Sequence, residues 1–234
     1  MKVMLIGLVL TVAASGAAFD AASVKPNASG LNDSAIEHSG GRITVRNESL
    51  RGIIFFAYGI PWGRDYALAG PAWLDTEKLD AENFDIVATL PADTPRERVP
   101  EMLQTLLYER FGLRTHAETR KLESYVLLAG KRGPKLQADT TGAEGAFIFG
   151  EDHVTCRAIS MAGLADRLSG PVFKLGRPVV DMTGIKGGYD FTLNWSDSSV
   201  FTALEEQLGL RLVARQTAFR IVVIDHMDKV PTGN

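Results

Sequence analysis

The sequence predicts an α+β fold of two internally duplicated β-α-β-α-β-β halves, with helices packed on antiparallel or mixed sheets. Three observations carry this reading. Ile43–Gly59 and Val154–Gly170 align without a gap and match at Thr44/Thr155, Arg46/Arg157, Ser49/Ser160, Gly52/Gly163 and Gly59/Gly170. Leu103–Ala117 and Val200–Ala214 follow in the same order, matching at Thr105/Thr202, Leu107/Leu204, Glu109/Glu206, Gly112/Gly209, Leu113/Leu210, Arg114/Arg211 and Ala117/Ala214. Chance gives only about one match per fifteen positions at ordinary composition. Third, short alternating segments interleave with segments of helical period, the pattern of strands covered by helices.

The elements follow in order. Residues 1–18 form a signal peptide and 19–41 an N-terminal strand and loop, with Phe19–Val24 as the strand and Lys25–Gly41 rich in turn formers. Repeat one spans 42–131. Ile43, Val45 and Asn47 alternate with Thr44, Arg46 and Glu48 as a strand, and Ser49 caps a helix over Leu50–Tyr58 that Gly59 and Pro61 stop. Pro61–Asn83 is a long connection, and Phe84–Leu90 is a strand. Pro95–Phe111 is an amphipathic helix with Thr94 as N-cap and Gly112 as C-cap. Leu113–Thr119 and Leu122–Ala129 read as two strands joined by a tight turn near Arg120–Lys121. Residues 132–152 are a linker. Repeat two spans 153–228: strand Thr155–Ile159, cap Ser160, helix Met161–Leu168, strands Pro178–Asp181 and Tyr189–Trp195, helix Val200–Leu208 closed by Gly209, then strands Leu210–Arg215 and Phe219–Asp225. Residues 229–234 are a tail.

Composition narrows the function classes. The chain has 234 residues, 45% hydrophobic and 23% charged, enough for one sizeable domain or two small ones. A net charge of −3 gives no electrostatic reason to expect nucleic acid or an anionic membrane as partner. Lys2, the apolar run Val3–Ala13 and the small residues Ala14–Ala18 make a secretory signal, with cleavage after Ala17 or Ala18. The apolar run is short for a bilayer span, and no stable membrane span is expected after cleavage. The single cysteine, Cys156, aligns with Val45 and reads as a small buried hydrophobe.

No catalytic set stands out, and no metal or cofactor is expected. Val179–Gly184 resembles the Asp-Thr-Gly turn of aspartic proteases, but Met182 interrupts it, and a pair with Asp75 requires the repeats to face each other. His116 and Glu118 share one strand face, as a base and its orienter or as a surface pair. His38, His153 and His226 lack metal-ligand spacing. Lys131–Lys135 lacks the phosphate-loop pattern and reads as a solvated turn. Trp62, Tyr66 and Trp73, in a long Gly- and Pro-rich loop, are the candidate ligand-binding residues; the alternative is a second small core. Repeat two has a shorter loop there, with Phe173, Lys174 and Arg177.

Phe19–Asn27 (FDAASVKPN), Ser49–Pro61, Pro71–Asp75, Phe84–Val87, Met102–Leu113, Gly133–Leu136, Ser160–Leu168, Gly176–Thr183, Tyr189–Leu193 and Val222–His226 together resemble the soil-associated exported proteins of acidobacteria. That family is a domain of unknown function without established catalytic residues. The resemblance implies a secreted or periplasmic protein with many paralogues. Some relatives carry the domain beside a membrane metallopeptidase of the antibiotic-sensor type, which implies extracellular sensing. More distantly, each half is similar to the short β-α-β modules of secretins and TonB-dependent receptors.

The function expected is a non-enzymatic binding or interaction module, periplasmic or extracellular. It would take a protein, peptide or small ligand through an open sheet edge or the aromatic loop. The alternatives are a secreted hydrolase of envelope or environmental polymers, using Asp75, Asp181, His116 and Glu118, and a structural envelope protein that forms homo-oligomers. The parts the halves do not share, Pro61–Asn83 and Gly130–Asp152, are where function is sought.

Overall fold

The computed structural model describes residues 17–30, 33–74, 82–142, 144–195 and 199–233. The apolar run of the expected signal and Asp75 lie outside the described residues. In chain order the elements are β1 (Ala21–Pro26), β2 (Ala35–Ser39), β3 (Arg42–Ser49), α1 (Leu50–Ala57), β4 (Leu68–Ala69), β5 (Asn83–Thr89), α2 (Val99–Phe111), β6 (Arg114–Ala129), β7 (Gln137–Ala138), β8 (Ala146–Phe149), β9 (His153–Ile159), α3 (Met161–Leu168), β10 (Val179–Asp181), β11 (Tyr189–Asn194), α4 (Val200–Leu208) and β12 (Leu210–His226). Four helices and three mostly antiparallel sheets make this an α+β fold.

Two compact units divide the chain. The first holds the described residues up to Gly59, Ala72–Arg114 and those from His226 onward; the second holds Ile60–Pro71 and Thr115–Asp225.

The first unit is an antiparallel sheet in the order β1-β5-β3-β2 with α1 and α2. Alternation along β3 sends Ile43 and Val45 inward and exposes Arg46. Phe84 and Ile86 of β5, Ile53 and Ile54 of α1, and Met102, Leu103, Leu107 and Phe111 of α2 are buried with them, none more than 1% exposed. Each such side chain contributes roughly 1.5–3 kcal/mol through burial. Phe84 and Phe111 meet edge to face at 5.2 Å. The FDAASVKPN stretch forms β1, and the Asn27 amide just past it donates to both Asp85 carboxylate oxygens at 2.9 and 3.0 Å.

The second unit contains two sheets, ordered β7-β11-β9-β8 and β10-β6-β12-β4. Helices α3 and α4 cover one face of the first. Val154, Cys156 and Leu193 pack there against Met161, Leu164, Leu168, Ala203 and Leu204.

One device serves both units. Where β3 runs toward α1, the register with β5 shifts between Val45 and Glu48, and Asn47 takes a left-handed φ of 48°. The Asn47 N–H, turned out of the ladder, donates to the Asp85 carboxylate at 2.8 Å. Where β9 runs toward α3, the register shifts between Tyr189 and Phe191, and Ala158 takes φ 51°. The Ala158 N–H donates to Asp190 at 2.7 Å. Such bulges bend a strand and increase its twist. Two residues on, the Ser49 and Ser160 hydroxyls accept the N–H of Gly52 and Gly163, each at 3.1 Å, and cap the helices. Gly112 at φ 59° and Gly209 at φ 63° end α2 and α4 in the left-handed conformation a side chain disfavours.

The structure corrects several expected elements. The two expected pairs of short strands are single strands, β6 of 16 residues and β12 of 17. Neither Arg120–Lys121 nor Gln216–Ala218 contains the Gly, Asn or Asp that a tight hairpin turn needs. The two strands instead pair with each other along their length, with the Ser124 hydroxyl donating to the Arg215 carbonyl at 2.8 Å. The expected N-terminal loop contains β2, and the expected linker contains β7 and β8. Helix α2 begins at Val99, not Pro95, because Arg96–Arg98 form a 3-10 turn; the Thr94 hydroxyl donates to the Pro91 carbonyl instead of capping a helix.

Replacing Asp85 with Ala is expected to cost about 2–4 kcal/mol, because it removes charge-assisted bonds and strands the Asn47 N–H. Asp190→Ala, which loses fewer such bonds, is expected to cost about 1.5–3 kcal/mol. Urea unfolding followed by tryptophan fluorescence checks both values and their order.

Candidate functional site

Among the described residues of the expected hydrolase set, Asp181 lies far from His116 and Glu118. Asp181 of β10 accepts the backbone N–H and hydroxyl of Thr183 at 2.9 and 2.7 Å, closing a local turn. In the parallel register Asp181 sits beside Leu127, eleven residues along β6 from His116. At about 3.3 Å per residue that separation is roughly 36 Å. His116 keeps Glu118 beside it and gains a nearer partner, Asp225, across the strand pair. Its Nδ1 lies 2.8 and 3.0 Å from the Asp225 carboxylate oxygens across the strand pair, while Glu118 stands 3.8 Å from Nε2. Arg120 grips Glu118 through two bonds of 2.8 and 3.1 Å and holds its carboxyl below the usual range. His116, Asp225 and Glu118 are all 40% exposed or more, so this is a solvated cross-strand cluster. Among the described residues no three His, Cys, Asp or Glu side chains are grouped to hold a metal ion.

The aromatic segment is fastened to its unit. Within Ile60–Pro71, Arg64 forks onto Asp166 of α3 at 2.5 and 3.2 Å. That bond raises the Arg64 pKa, and burial raises that of Tyr66. The Tyr66 ring meets Phe219 of β12 edge-on at 4.8 Å, and Leu68–Ala69 pair in parallel with Val222–Val223. Gly63, at φ 94°, comes so close to α3 that a Cβ would run into the Asp166 carbonyl oxygen. Tyr66 thus packs half-buried against Phe219. Trp62 is the exposed aromatic of the segment, at 62%. Trp73 belongs to the first unit, where the Lys229 ammonium stands 5.3 Å above its ring.

A cleft in the first unit, lined by Ala18–Ala22, Met102, Thr105, Leu106, Glu109 and Arg110, encloses about 170 Å³. Ligand pockets generally exceed about 300 Å³. Arg110 is engaged there with the carbonyls of Ala22 and Gly233.

A different surface stands out in the second unit. β8 (AFIF) is an edge strand, paired on one side with β9. The Gly150 N–H donates to the His153 carbonyl at 2.9 Å, which fixes the phase of the ladder. Ile148/Thr155 and Ala146/Arg157 are then the hydrogen-bonded pairs, and Phe147/Cys156 and Phe149/Val154 the non-bonded ones. The N–H and C=O groups of Phe147 and Phe149 therefore point away from β9, and among the described residues no strand lies beyond them. The edge is apolar: Ile148 is 52% and Phe149 39% exposed. On the helix side Phe147 and Phe149 stack at 6.3 Å, Phe149 meets Phe173 at 6.3 Å, and Phe173 meets Trp195 at 5.1 Å. The Arg167 guanidinium of α3 lies over Phe147 and Phe149, 4.6 and 5.6 Å from their centroids.

A family model described as "Protein of unknown function (DUF3738)" matches residues 51–227. The chain belongs to this family. No curated protein and no solved structure matches it. The DUF3738 match includes β8, α3 and the aromatic cluster, whereas β1 with its FDAASVKPN stretch precedes it.

The β8 edge lies within Gly130–Asp152, one of the two stretches that the aligned halves do not share, where the sequence reads as a linker. Gly145-Ala-Phe-Ile-Phe-Gly150, an apolar alternation bounded by glycines, is a strand signal that the surrounding Asp, Thr, Glu and Gly residues obscure. Nothing local in the sequence tells that Arg167, Phe173 and Trp195 gather beside it.

Cys156 is buried, and its burial pushes the thiol up to about 12, with Arg167 opposing. At pH 8 it is expected to stay protonated and to react with a thiol reagent only on unfolding. Labelling kinetics with and without urea check this. Gly63→Ala is expected to destabilise by about 2 kcal/mol or more, from a clash in a left-handed conformation, and thermal unfolding measures it.

Proposed function

We propose that this DUF3738 protein is an exported, non-enzymatic polypeptide-binding module that takes an extended partner segment as a fifth strand beside β8. The observation that carries the reading is the outward-facing backbone of Phe147 and Phe149 on an apolar edge beside a cluster of aromatic rings. Strand addition uses this combination: main-chain bonds supply affinity, and pockets for alternate side chains supply specificity. Export is supported by Lys2, the apolar Val3–Ala13 and the small residues up to Ala18. Among the described residues no helix is long and apolar enough to cross a membrane. The resemblance to soil-associated exported proteins of acidobacteria, and the likeness of each half to secretin and TonB-receptor modules, fit a protein that meets other polypeptides in or beyond the envelope.

The test is selection of a displayed random heptapeptide library on the mature protein. Phe149→Pro removes the ring and one outward N–H that β9 does not use, a change an edge strand tolerates, and Phe149→Ala, which removes the ring alone, is the reference for it. Selected peptides are expected to bind the wild type and to bind Phe149→Pro at least about tenfold more weakly than Phe149→Ala. Equal binding to Phe149→Pro and Phe149→Ala would contradict the reading.

A further inference from the structure

The geometry points to Arg167 as the receptor for a carboxylate on the incoming strand, so that the β8 edge selects extended segments with an acidic residue on their helix-side face. This rests on the strand-addition reading above. Arg167 projects from α3 onto the same face of the edge as Phe147 and Phe149, and its guanidinium lies over both rings. Stacking satisfies the face of a guanidinium but leaves its in-plane N–H donors unused. Its neighbour Asp166 is taken by Arg64 through both carboxylate oxygens. Among the described residues no carboxylate pairs with Arg167. A strand added outside β8 places alternate side chains on the Phe147/Phe149 face, beside that guanidinium. A carboxylate there completes a planar, charge-assisted pair, and the aromatic cluster reduces its competition with water.

Charge also argues against the simplest other occupant, a second copy of β8. Antiparallel self-pairing centred on Ile148 would bring Glu144, which precedes β8 in one copy, toward the Glu151–Asp152 turn of the other at both ends of the pair, like charge against like charge.

The experiment runs the heptapeptide selection in parallel on the mature wild type, Arg167→Gln and Arg167→Lys, with circular dichroism confirming that each variant is folded. Wild type is expected to enrich Asp or Glu at one position. A synthetic peptide carrying Glu there is expected to bind about five- to tenfold more tightly than its Gln counterpart. Arg167→Gln is expected to abolish that difference while still binding both peptides, and Arg167→Lys to keep part of it. Enrichment without an acidic position, or a Glu preference unchanged in Arg167→Gln, overturns the carboxylate assignment and leaves strand addition standing. No enrichment on wild type overturns strand addition itself. A wild-type dimer in light scattering that Phe149→Pro converts to monomer identifies a second copy as the occupant and overturns the assignment as well.

Discussion

The bond from the Ala158 N–H to the Asp190 carboxylate, with its counterpart from Asn47 to Asp85, is the constraint on which each sheet and its helix depend. A strand that must hand over to a helix needs a bend, and a bend turns one N–H out of the ladder. Left unpaired beside a core, that group costs about 1–3 kcal/mol, enough to undo the gain from a buried leucine. The carboxylate on the neighbouring strand removes the penalty. It also tolerates alanine at φ 51°, a conformation that a residue with a Cβ disfavours by roughly 1–2 kcal/mol. Once the bend is secured, Ser160 falls into place as a cap, and Met161, Leu164 and Leu168 turn onto Val154 and Cys156.

The same requirement, that backbone polar groups find partners, marks out the β8 edge. The other edges among the described strands are blunted in familiar ways. β1 ends in Pro26, β2 carries the Glu37–Arg46 ion pair at its border with β3, β4, β7 and β10 are two or three residues long, and where β6 and β12 run beyond β10 and β4 they carry charged side chains. β8 has neither charge nor proline within it, and its exposed side chains are apolar. Glu144, Glu151 and Asp152 flank it as charged gatekeepers without covering it. The β8 edge thus lies within the stretch between the two aligned halves, where their shared letters impose nothing.

Much of the fold was legible in the sequence because its signals are local. Ser49, Ser160, Gly112 and Gly209 announce helix ends through their own hydrogen bonds and dihedral preferences, and the α1, α3 and α4 boundaries follow from them. The long strands were misread because Arg120–Lys121 and Gln216–Ala218 are polar, and polarity resembles a turn until the partner strand is known. The candidate site was less legible for the same reason. Trp62, Tyr66 and Trp73 are conspicuous letters, yet Tyr66 is consumed by packing on Phe219, a contact more than 150 positions away along the chain. Arg167, Phe173 and Trp195 are unremarkable letters that only the covering of one sheet by α3 brings to the side of β8.

Site-resolved amide exchange at Phe147, Ile148 and Phe149 tests the open edge most directly. In the free monomer Ile148, bonded to β9, should exchange slowly, while Phe147 and Phe149 should exchange near the rate of an unstructured chain; a saturating selected heptapeptide should slow both phenylalanine amides. Slow exchange at Phe147 and Phe149 in the free monomer, or exchange unchanged by bound peptide, would contradict the account.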